Sequence, residues 1–234
     1  MINKSFFLKG YRSIFTHDSP AIALTCCFIA IGALFKNLGF NLQESIFSTI
    51  LTYALPGSLV MAESMLIGAS LINIFLAVWV VNARLYPMAV SLFPLMMHKS
   101  QPKWKYYFSC HFIAVSAWLI MKSNYKKIPK EYRIDYWIGI GSATVSVSVI
   151  GTFIGFYFSE YMNKDMMIGL AILNPVYFLC MMVGASKTIQ VTLSVLLGII
   201  LGPIIYLFSP EWSILLAGVI GGTIAYLVGE YNVS

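Results

Sequence analysis

Apolar runs of 15 to 24 residues, separated by short polar punctuation, set the pattern of this chain. A membrane-spanning helix needs about 20 mainly apolar residues, so each run is weighed against that length. The first, Pro20 to Phe35 with an extension to Leu38, predicts a helix opened by Ser19-Pro20, since proline fits a first helical turn, and closed by a turn at Gly39 and Asn41. The second, Ser45 to Ala62, is interrupted at Pro56. The third, Ser64 to Ala83, carries Gly68-Ala69-Ser70, a small-residue patch suited to close helix packing. Beyond Arg84 the apolar pattern resumes to Met97, interrupted at Pro87 and Pro94 and too short to span alone.

Residues 98–135 are the polar region of the chain. Within it, Tyr107 to Met121 is a short apolar segment, re-entrant or ending at the interface. Tyr136 to Ser159 is a clear span whose Gly139, Gly141, Ser142, Ser146, Ser148, Gly151 and Gly155 make a packing face. Met166 to Ser186, broken at Asn174-Pro175, then Thr188 to Pro210, then Trp212 to Gly229 complete the chain. The expectation is an all-α, polytopic transmembrane helix bundle of about seven to eight segments, with broken helices near Pro56 and Pro175. A β-barrel would need alternating runs of about 10 residues, and these are absent.

Composition supports the same class. The 234 residues are 59% hydrophobic and 10% charged, with a mean hydropathy of +0.81, against roughly 25% charge in soluble domains. No linker or low-complexity tract marks a second domain, so residues 1–234 read as a single transmembrane transporter domain. Residues 1–17, with aromatic residues among Lys4, Lys9 and Arg12, read as an interfacial amphipathic segment and not as a cleavable signal peptide. The net charge of +6 sits between apolar runs, where topology signals and lipid phosphates belong, and does not argue for nucleic acid. Both the N-terminal bases and those of residues 98–135 ask to be cytoplasmic, which holds if an even number of crossings separates them. The sequence leaves that number open.

The four cysteines, Cys26, Cys27, Cys110 and Cys180, lie in apolar segments with no metal-ligand spacing, and no cofactor is expected. No Walker-type loop exists, so any uphill transport is driven by an ion or potential gradient.

Chemistry is expected where polar groups interrupt apolar runs, because such groups are costly in lipid and face protein or a water-filled cavity. Irregular backbone at membrane depth lies under the same constraint, and paired breaks in two halves of a chain point to a transporter's binding site. The candidate substrate-binding residues are Pro56, Gly57, Ser58, Asn82, Arg84, Asn174 and Pro175. Arg84 can hold a carboxylate bidentately or snorkel at a helix end. Asn82 can serve the same ligand or bond helix to helix. The proline breaks can free backbone amides or simply kink. Glu63 and His111 are candidates for proton coupling; the alternatives are a helix-end acid at the interface and a packed histidine.

Gly57-Ser58-Leu59-Val60-Met61, the small patch Gly68-Ala69-Ser70, Val81-Asn82-Ala83-Arg84-Leu85 and Ala171-Ile172-Leu173-Asn174-Pro175-Val176-Tyr177-Phe178 occur in an order and spacing that resemble the AzlC family over most of the chain. The chain is divergent: Val60 stands where the family has Gln, Leu85 where it often has His, and Ser109-Cys110-His111 lacks the family's carboxylates. The resemblance implies the large subunit of a branched-chain amino acid exporter in the bacterial cytoplasmic (inner) membrane. It implies export of small apolar amino acids by alternating access, and a small AzlD-type membrane partner. Alternatives are a passive channel or a non-transporting subunit of a larger complex. A membrane-embedded enzyme is disfavoured, because nine acids and three histidines are scattered.

Overall fold

The computed structural model describes residues 2–16, 20–66, 68–161, 163, 165, 166, 169, 172, 176, 189–208 and 213–231. Among them the structure is helical, with no strand. The chain divides into two compact units, Met1–Asn174 and Pro175–Ser234.

The first unit is built on one long helix. α1 (Lys4–Ser13), α2 (Ala21–Asn37), α3 (Leu42–Thr52), α4 (Leu55–Leu66), α5 (Leu71–Asn82), α6 (Leu85–Met96), α7 (Lys103–Ser109) and α8 (Val115–Asn124) precede α9 (Arg133–Phe158). Helix α9 spans 26 residues, roughly 39 Å at 1.5 Å per residue, against a hydrocarbon core of about 30 Å. Three of its glycines, Gly139, Gly151 and Gly155, are positions of backbone contact. A Cβ on Gly139 would meet the Phe7 carbonyl, and one on Gly155 the Ile29 carbonyl; reciprocally, Gly10 lies on the Tyr136 carbonyl and Gly32 on the Thr152 carbonyl. Helices α1 and α2 therefore lie against α9 as closely as backbones allow, the packing that glycine permits where lipid supplies no hydrophobic drive. Phe28, Phe35, Met121, Ile134, Trp137 and Ile140 fill the core around it, each at most 2% exposed.

Local sequence explains the helix ends. Asn41 caps α3 in a reciprocal box with Glu44: its Oδ1 accepts from the Glu44 amide at 2.9 Å, and its own amide donates to Glu44 Oε2 at 2.8 Å. The break expected at Pro56 falls earlier, at Tyr53-Ala54. Tyr53 adopts φ +26° and ends α3, while Pro56 sits in the first turn of α4, where its missing N–H costs nothing. The patch Gly68-Ala69-Ser70 is a turn and not a packing face. Gly68 has φ +69° with open space around it, and Ser70 caps α5 by accepting from the Asn73 amide. Helix α6 continues through Pro94, and the short segment 107–121 divides between α7, a 3-10 turn at Cys110–Phe112 and α8.

In the second unit, α10 (Ile189–Phe208) and α11 (Ser213–Tyr231) pack on each other, with Gly221 against Leu197 and Gly198.

Among the described residues, Lys130–Tyr161 is long and apolar enough to cross a membrane. The pair Leu71–Asn82 and Leu85–Met96 qualifies when taken as one span bent by 47°. Ala21–Asn37, Thr192–Phe208 and Leu216–Val228 are apolar but shorter.

Candidate functional site

Two helix breaks meet in the first unit. One is Tyr53-Ala54, between α3 and α4. The other is Ala83-Arg84, where α5 turns into α6. Helix α4 packs on α5, and Gly57 lies against the side-chain amide of Asn82: a Cβ at Gly57 would stand 2.7 Å from Asn82 Nδ2. The glycine matters here for space and not for backbone conformation: a larger residue would make the Asn82 amide shift. Ser58, the next residue, is fully buried, and its amide donates to the Ala54 carbonyl at 3.0 Å.

This contact gathers Pro56, Gly57, Ser58, Asn82 and Arg84 onto adjoining helix ends. It also leaves polar atoms unpaired. Among the described residues, four buried side-chain polar atoms have no hydrogen-bond partner: Ser58 Oγ, Asn82 Oδ1, Arg84 Nε and, elsewhere on α8, Ser116 Oγ. A buried polar atom without a partner costs about 1–3 kcal/mol, so three of them within two adjoining helix ends form a concentrated debt. Donor and acceptors of this kind suit a small ligand with both a carboxylate and an ammonium group.

Beside the breaks lies an open recess of about 310 Å³. Leu51, Thr52, Tyr53 and Ala54 line it from the first break, Leu85, Tyr86 and Ala89 from the second, and Cys110, His111 and Ile113 from the 3-10 turn and the residue after it. His111 thus reaches the same region as the breaks, its ring 5.8 Å from that of Tyr53. Glu63 lies in the second half of α4; its side chain is outside the described residues, as are Asn174 and Pro175.

Sequence reasoning passed over Tyr53, Tyr86 and Cys110 as walls of the recess. It also passed over a buried hydroxyl seam between α3 and α9. Thr49 Oγ1 and Thr152 Oγ1 are 2.9 Å apart, and the Tyr53 hydroxyl donates to Thr144. The signal was present: Ser45, Thr49 and Tyr53 recur at four-residue steps on α3, as do Thr144, Ser148 and Thr152 on α9, and such steps share one helix face.

A second polar centre is fully paired. Lys105 Nζ lies 2.8 Å from Asp135 Oδ1, both side chains 1% exposed. Lys105 also donates to Gln101 Oε1 at 2.8 Å, and the Asn3 amide donates to Asp135 Oδ2 at 3.0 Å. Among the described residues no group of three or more His, Cys, Asp or Glu could hold a metal ion.

A family model described as AzlC protein matches residues 20–162, more than half of the chain, and the match takes in both breaks and every wall of the recess. No curated protein and no solved structure is matched by the chain.

Proposed function

Since the chain belongs to the AzlC family, a family of membrane transport proteins, we propose that it exports branched-chain or similar small apolar amino acids by secondary-active alternating access. The observation that carries this reading is the set of unpaired buried atoms on Ser58, Asn82 and Arg84. A protein keeps such a debt where a ligand offsets it.

The guanidinium of Arg84 takes the substrate carboxylate through its planar fork. Ser58 Oγ and Asn82 Oδ1 accept from the ammonium group. Gly57 lets the Asn82 amide lie close against α4, because a side chain there would press on it. Leu51, Ala54, Leu85 and Ala89 of the recess provide apolar surface for the substrate side chain. The bent pair α5 and α6 is the moving part: a hinge at Ala83-Arg84 lets the binding residue travel with the gate. His111, which lines the recess, and Glu63 are the groups assigned to proton coupling. Asn174 and Pro175 are the remaining residues assigned to substrate binding.

The protein works as about seven to eight membrane segments in the bacterial cytoplasmic membrane. Leu71, Ile72, Phe75 and Trp79 of α5 are 63–87% exposed and offer an apolar row for lipid or for a small AzlD-type subunit.

Proteoliposomes holding the chain, with and without a small partner, test the reading. Labelled leucine, valine, isoleucine and methionine are loaded, and a pH gradient and a membrane potential are imposed separately. Gradient-driven movement of at least one substrate is expected; folded protein that moves none of them contradicts the proposal.

A further inference from the structure

Two basic stretches, distant in sequence, converge on one end of the first unit. Asp135 at the start of α9 accepts from the Asn3 amide ahead of α1 and from Lys105 on α7, at 3.0 and 2.8 Å. Gln101 Nε2 donates to the Glu131 carbonyl at 2.8 Å, and the rings of Phe6 and Tyr132 stack at 4.6 Å. Arg133 draws in the end of α6, donating to the Leu95 carbonyl at 2.7 Å. The first turn of α1, the start of α7 and the loop before α9 thus share a single face.

Lys4, Lys99, Lys103, Lys126, Lys127 and Lys130 are all exposed on this face. Asp135 is consumed by Lys105, and Glu131 is the exposed acid among residues 98–135. Among the lysines stand Trp104, Tyr107 and Phe108 of α7, 59, 77 and 60% exposed, and Leu8 of α1, 51% exposed. The opposite end differs. Helix α2 runs in the same direction as α9, with Gly151 against Thr25 and Gly155 against Ile29, and the two finish in the exposed pair Lys36–Glu160 at 2.9 Å. Charge there is that pair and the exposed Glu44 in the first turn of α3, with no lysine cluster among the described residues.

We propose that the lysine face seats on anionic phospholipid headgroups of the cytoplasmic leaflet, which places residues 2–13 and 98–135 inside the cell and Lys36–Glu160 outside. Basic residues mark the cytoplasmic side, and exposed aromatic rings settle at headgroup depth. An acidic soluble protein would be met by the lysines alone; exposed Trp104, Tyr107 and Phe108 among them favour lipid. The inference rests on membrane residence and not on the substrate, so it is read without any transport assay.

Single cysteines introduced by Ser100→Cys or Asn163→Cys, in the full chain with its native cysteines replaced, are exposed to a membrane-impermeant maleimide. Ser100→Cys is expected to react only in inverted vesicles and Asn163→Cys only on intact cells. Reaction of both from one side, or the reverse assignment, overturns the orientation. For the lipid, the full chain is placed in nanodiscs of phosphatidylcholine with or without phosphatidylglycerol, and retained lipid is read by native mass spectrometry. Neutralising Lys103, Lys126, Lys127 and Lys130 to Gln removes only exposed charge, so the variant is expected to melt with the parent. Phosphatidylglycerol retention should fall about fivefold for each lysine removed. Equal retention by parent and variant overturns the lipid assignment and passes the face to a soluble acidic partner.

Discussion

The contact of α9 with α1 and α2 and the contact of α4 with α5 both use glycine for close approach, yet they treat polar groups in opposite ways. Along α9, Gly10, Gly32, Gly139 and Gly155 meet backbone carbonyls, and the buried charges Lys105 and Asp135 have each other, Gln101 and the Asn3 amide. At the α4–α5 contact, Gly57 meets a side-chain amide, and polar atoms of Ser58, Asn82 and Arg84 stay unpaired. Paired buried charge ties helices together; the unpaired buried polarity at the α4–α5 helix ends is where the proposed substrate would be held. The contrast separates residues whose loss unfolds the protein from residues whose loss silences it.

The largest effect is expected at the scaffold. Lys105→Met leaves the Asp135 carboxylate buried without its cation, a cost of about 3–5 kcal/mol. Little folded protein should be recovered from membranes by size-exclusion chromatography. The double variant Lys105→Met with Asp135→Leu should recover much of it, since an apolar pair of similar volume is often neutral. If the double variant is as damaged as the single one, charge burial is not the cause. Gly155→Val comes next. Its side chain would enter the backbone of Ile29, and overpacking costs about 1–3 kcal/mol and more where backbone must move. The melting temperature in detergent should drop by several degrees, whereas Gly222→Ala, in open space on α11, should leave it within a degree or two.

Smaller effects sharpen the same contrast. Thr152→Val removes the hydroxyl facing Thr49 and is expected to cost about 0.5–1.5 kcal/mol, measured by thermal unfolding. Ser58→Ala removes an atom that has no partner, so stability should hold or rise slightly while substrate flux falls. A clear loss of stability in Ser58→Ala would place that hydroxyl in the scaffold instead.

The apolar runs foretold α2 and α9 closely, because length and hydropathy are local properties that a membrane reads directly. Pro20 and Asn41 stand at helix starts for equally local reasons. Tyr53 was hidden: its positive φ follows from the tertiary position of α3 and α4, and a tyrosine in an apolar run resembles ordinary packing. Lys105 and Asp135 were hidden too, since each looks like loop polarity until helices 30 residues apart in sequence are brought together. Gly68-Ala69-Ser70 misled because small residues serve a turn as well as a helix interface. The candidate cluster at Gly57, Ser58, Asn82 and Arg84 was legible because polar residues and breakers inside apolar runs are costly enough to need a reason. That Gly57 touches Asn82 was not, because contact between two breaks is a property of the fold.

Paired measurement of flux and melting temperature for Arg84→Ala tests the central claim most directly. In proteoliposomes matched for folded protein, leucine-type flux should fall at least about tenfold, the loss of one charge-assisted carboxylate contact, while the melting temperature stays within a few degrees of the parent. Undiminished flux in Arg84→Ala, or a collapse of folding that accounts for its loss, would contradict a substrate site at the meeting of the two breaks.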